Sequence, residues 1–106
     1  MSKTLHGEVE LVVGESTYVL KPTLAAVRAI ERQFGGLRGA MEVTRALSVE
    51  GCAAIIAAGA GVNETAAAQL VQDVWQTGVL TVSVPVAAYV AALYNPRGGE
   101  PEQGKA

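Results

Sequence analysis

The chain has 106 residues, half of them apolar and 17% charged, with a formal net charge of −2 and a single cysteine. That length allows one domain with one real core, and the lone Cys52 excludes an internal disulfide. No apolar run nears the roughly 18 residues a membrane span needs, and the four arginines from Arg28 to Arg45 are interleaved with Glu31 and Glu42, which reads as a solvated helix face, not a phosphate-binding stripe.

The first predicted element is a strand over Leu5 to Val13. Val9, Leu11 and Val13 alternate with Glu8 and Glu10, the period of two that buries one face; Val12 breaks the alternation. Gly14-Glu15-Ser16 interrupts, and the β-branched and aromatic run Thr17 to Leu20 resumes, so the two runs predict a β-hairpin. A lone hairpin is marginal in water, and helices are its expected cover.

Pro22 stops the second strand and Thr23 can cap a first helix, with Leu24, Val27, Ile30 and Phe34 inward and Gly35-Gly36 as its end. A second helix is expected over Leu37 to Leu47, with Met41 and Leu47 inward; Gly39 weakens it by ~1 kcal/mol relative to alanine. Ser48 can cap a third. Cys52, Ile55, Ile56 and Gly59 form a single stripe on it, and Gly59-Ala60-Gly61 closes it. Asn63 caps a fourth helix, with Glu64 in its first turn; it carries Ala67, Leu70, Val71, Val74 and Trp75 and ends at Gly78. Val79 to Val84 is β-branched and reads either as an extended connection or as a short strand. Ser83 then caps a last helix with Pro85 in its first turn and Val86, Val90 and Leu93 inward, ending at Asn95-Pro96. The expected fold is therefore α+β: an N-terminal hairpin packed on a bundle of four to five short helices. It is a single domain over residues 1–95, followed by a flexible Gly/Pro-rich tail over 96–106.

Catalytic and cofactor motifs are missing from this pattern. One histidine, His6, and one cysteine cannot supply the usual zinc set, and Cys52 on an apolar helix stripe reads as a small buried hydrophobe. A Ser-His-Asp arrangement would need His6 and the only aspartate, Asp73, far apart in the chain. The glycine pairs match neither phosphate-loop pattern. An enzyme is the least expected class, with no cofactor and no metal. The aromatics Tyr18, Phe34, Trp75, Tyr89 and Tyr94 are few; Trp75 and Tyr94 fall near helix ends, where capping of the core is the plain reading and protein contact the functional one. The candidate protein-binding set is Trp75, Tyr89, Leu93 and Tyr94. Residues 1–8 have no apolar stretch of signal-peptide type, so a cytoplasmic protein is expected.

One family resembles this chain. His6-Gly7-Glu8-Val9-Glu10-Leu11 is similar to the R-G-E-V-x-L opening of the tail-assembly chaperones of phages and gene transfer agents. Tyr18-Val19-Leu20-Lys21-Pro22-Thr23-Leu24 is similar to that family's Y-x-L-R-P-T-F segment. Ala29 to Gly35 and Ala53 to Gly59 match its Glu-containing and Ala-Gly-ended helices, and Thr81 to Pro85 departs from it by being more β-branched. The resemblance implies a protein that binds the long helical tape-measure protein, or another tail protein, during assembly in a bacterial host cell. It implies no catalytic residues and leaves homo-oligomerisation open. Two other readings compete: a structural tail or connector component retained in the particle, and a small helical regulator, which the acidic balance disfavours.

Overall fold

A computed structural model describes residues Glu8 to Asn95. Two strands, β1 (Val9–Val13) and β2 (Ser16–Leu20), precede five helices: α1 (Leu24–Phe34), α2 (Leu37–Arg45), α3 (Val49–Ala60), α4 (Glu64–Thr77) and α5 (Val79–Tyr94). The α+β expectation holds: an antiparallel hairpin lies on a compact helical bundle. The beginning of the first predicted strand, Leu5 to Gly7, and the predicted tail fall outside the described residues.

The hairpin pairs Val9 with Leu20 and Val13 with Ser16. Gly14 sits at φ 64°, the conformation a tight turn of the II′ kind asks of its first central residue. Leu11, Val13 and Leu20 point into the core, while Val12 points out, which explains the break in alternation. The core joins all seven elements, from Leu11 through Ile30, Ile55, Leu70 and Val86 to Leu93.

Helix starts follow the capping chemistry. The side-chain oxygens of Thr23, Ser48 and Asn63 accept from the N–H groups of Ala26, Gly51 and Ala66 at 3.1, 2.9 and 2.9 Å. Gly35 ends α1 in the left-handed region. Gly39 has a reason that propensity does not supply: a Cβ there would collide with the carbonyl of Phe34, so the close α1–α2 corner requires the missing side chain.

Four expectations change. Leu24 is 65% exposed, because the stripe of α1 turns so that Ala26 and Ile30 take the buried positions. Leu47 lies beyond α2, at φ 59° and partly exposed. The Ser48 and Leu47 N–H groups donate to the carbonyls of Val43 and Thr44, both at 3.0 Å, so a leucine occupies the left-handed position of a Schellman closure usually given to glycine. Gly59 lies inside α3; Gly61, at φ 71°, is the residue that closes it. Finally, 79–84 is helical. α5 begins directly after Gly78, whose φ of 111° turns the chain out of α4. Val82, Val86, Tyr89, Val90 and Leu93 are buried along it, and that burial outweighs the strand preference of the β-branched run. Ser83 is therefore no cap. Its hydroxyl donates to the Leu80 carbonyl within the helix at 2.8 Å. Pro85 sits in the helix interior, where it has no N–H to donate to the Thr81 carbonyl one turn back.

Candidate functional site

Side chains with intrinsic reactivity are engaged structurally. Cys52 is fully buried, and burial pushes its thiol up from the ordinary range, away from a reactive thiolate. Asp73 accepts a hydrogen bond from Gln69 Nε2 at 3.2 Å, one turn away on α4. Among the described residues no three His, Cys, Asp or Glu side chains come together as a ligand set. His6 lies outside the described residues.

The four candidate contact residues separate into two pairs. Tyr89 and Leu93 belong to the core, with Tyr89 wholly inaccessible, so neither presents a surface to a partner. The reason is geometric. The Tyr89 ring approaches α3 closely at Gly59, where an added Cβ would stand 2.9 Å from Cε2. Its hydroxyl donates to the Lys21 carbonyl at 2.6 Å, and the Lys21 N–H donates to the Gly59 carbonyl at 3.1 Å. Tyr89 thus bolts the end of β2 to α3 and α5. Burial pushes its hydroxyl up to about 12.

Trp75 and Tyr94 are exposed, at 68% and 54%, but they line different depressions. Tyr94 borders a polar hollow of about 370 Å³ with Arg38, Met41, Glu42 and Arg45 of α2. Trp75 stands at one end of an apolar hollow of about 500 Å³ between α3 and α4, lined also by Val49, Glu50, Ala68, Val71 and Gln72. A second hollow, of about 280 Å³, shares Glu50, Ala68 and Val71 with the first and adds Gln33, Ala54 and Ala67. Because three residues are common to both, the two make one continuous groove along α4. Small side chains create it: alanines at 54, 67 and 68 leave room above the α3–α4 contact that larger residues would fill.

On α4, Glu64, Ala68, Val71 and Trp75 follow one another at i, i+4, i+7 and i+11, a single helix face spanning about 16 Å. Leu70 and Val74 occupy the face that packs inward; on the second stripe Glu64, Ala68 and Trp75 are exposed and Val71 is half-buried against the edge of the core. Only Trp75 of the groove belongs to the set expected from sequence. Val71 reads as core by hydropathy, and the alanines carry no signal of their own. The spacing from 64 to 75 is the pattern that could have revealed the groove.

These features define an α+β domain with an open apolar groove suited to a helical segment. Comparison with protein-family models, curated proteins and solved structures finds no match to the chain. No helix among the described residues is long and apolar enough to cross a membrane.

Proposed function

We propose that this protein is a tail-assembly chaperone of a phage or gene-transfer-agent particle, which holds helical segments of the tape-measure protein in the α3–α4 groove until tail-tube subunits enclose them. The observation that carries this reading is the groove itself: an apolar trough about three helical turns long, ending at an exposed tryptophan. Amphipathic helices dock into such troughs through residues at i, i+3, i+4 and i+7. Aromatic anchors beside small residues are typical of the few positions that dominate binding energy. The resemblance over His6 to Leu11 and Tyr18 to Leu24 names the partner class. The work is reversible burial of apolar surface in the bacterial cytoplasm and needs no catalytic group, cofactor, nucleic acid or membrane.

Co-expression with the tape-measure protein of the same particle tests the proposal. The tape measure should stay soluble and co-purify, and Trp75→Ala should abolish co-purification while leaving stability within about 0.5 kcal/mol, since the side chain is exposed. Failure of the unmodified protein to bind or solubilise it refutes the proposal.

A second reading draws on the hairpin. Each strand pairs only with the other among the described residues, so each has one edge without a strand partner. Open edges suit incorporation into a ring or tube as a tail component. Purified particles separate the two readings: a chaperone is absent from them and a component is present.

A further inference from the structure

The charges of this chain are segregated along its length. Between Arg45 and Arg97 there is no lysine, arginine or histidine, whereas Glu50, Glu64 and Asp73 all fall in that interval. Every lining residue of the groove except Gln33 of α1 comes from it. Glu50 lines both hollows, and Glu64 continues the Ala68–Val71–Trp75 face toward the start of α4. Asp73 lies off that face, paired with Gln69. Neither Glu50, in the groove, nor Glu64, on the helix face beyond it, has an ion-pair or hydrogen-bond partner among the described residues. The described arginines stand elsewhere, on α1 and α2, and none of them lines the groove.

From this we infer that the groove takes one kind of occupant: an amphipathic helix of about three turns whose apolar stripe is flanked by lysine or arginine, and that it discriminates against the same helix flanked by acids. This deepens the proposed function and rests on it, because it assigns the charge pattern of the segment that the groove holds. The floor of alanines and valines accepts small and medium apolar side chains at close approach. Glu50 and Glu64 then meet basic flanks across a partly dry interface, where like charges would be repelled. At the far end the exposed indole of Trp75 offers its face to a guanidinium or ammonium group.

Trp75 is the only tryptophan in the chain and so reports on its own groove. The test titrates the full-length protein with two tryptophan-free helical peptides that share one apolar stripe, one with Lys/Arg flanks and one with Glu flanks. Trp75 emission and the anisotropy of a peptide label are followed at low and high salt. The basic peptide should shift Trp75 emission to the blue and bind about tenfold tighter than the acidic one. That lead should shrink at high salt and in the Glu50→Gln/Glu64→Gln double variant, whose fold is checked by circular dichroism. Equal binding of the two peptides, or a preference that salt and the double variant leave intact, overturns the charge assignment while the groove reading stands. If neither peptide binds nor moves Trp75 emission, both fail. A blue shift that grows with protein concentration alone, alongside dimers in light scattering, overturns the inference by giving the groove to a second copy.

Discussion

Replacing Gly59 by alanine sets two physical effects against each other, and the structure decides the winner. Gly59 lies in the interior of α3, where intrinsic propensity favours alanine by about 1 kcal/mol. Propensity alone therefore predicts a more stable protein. The new methyl would stand 2.9 Å from Cε2 of Tyr89 and 3.0 Å from both Cζ and the hydroxyl oxygen. The ring has no easy retreat, since it is fully buried and its far end is held by the 2.6 Å hydrogen bond to the Lys21 carbonyl. Forcing a methyl into a packed core costs about 1–3 kcal/mol, and straining a hydrogen bond of ordinary net worth adds about 0.5–1.5 kcal/mol. The net expectation is a loss of about 0.5–3.5 kcal/mol, which for a domain of this size lowers Tm by roughly 4–8 °C per kcal/mol. Urea and thermal unfolding of Gly59→Ala measure it directly. The diagnostic is a change of sign: in a Tyr89→Leu background the opposing ring is gone, and the same substitution should become neutral or stabilising by up to about 1 kcal/mol. A stabilising Gly59→Ala in the otherwise unmodified chain would refute the argument that the ring's contact with α3 outweighs helix propensity.

Other expectations follow from the same packing. Tyr89→Phe keeps the ring but leaves the Lys21 carbonyl without its hydroxyl donor, which should cost about 1–2 kcal/mol by chemical denaturation. Burial raises the Tyr89 hydroxyl from 10.0 to about 12, so the folded state holds its proton where the unfolded state has released it. The resulting stability is fully present below pH 10 and is lost as pH rises through 12; Tyr89→Phe should flatten this alkaline decline, and an unchanged pH profile would count against the buried hydroxyl. Pro85→Ala restores a donor for the Thr81 carbonyl inside α5. An interior proline costs about 3 kcal/mol in a helix, and its loss frees the unfolded chain by about 1 kcal/mol, so a gain of about 2 kcal/mol is expected. A lower Tm would mean that α5 is built around the proline ring.

The local chemistry of this protein is written in its sequence. The hairpin was readable from Val9, Leu11 and Val13 and from the turn at Gly14, and three helix starts from Thr23, Ser48 and Asn63, because pairing period and capping depend on neighbours in the chain. What depends on distant partners was not readable. The 79–84 run carries strand propensity and becomes helix because Val82 and Val86 are buried in the shared core. Gly39 and Gly59 look like weak points in helices and prove to be contact points, one against the Phe34 carbonyl and the other against the Tyr89 ring. The candidate site divides in the same way. Trp75 is legible as an aromatic near a helix end; Leu93 falls on the inward stripe of the last helix as well as in the candidate contact set, and the fold places both it and Tyr89 in the core. The groove depends on which of two stripes on α4 packs inward; hydropathy does not choose between Leu70–Val74 and Ala68–Val71–Trp75, and the position of α3 does. Period, capping and charge order are properties of the chain, while burial is a property of its neighbours in space.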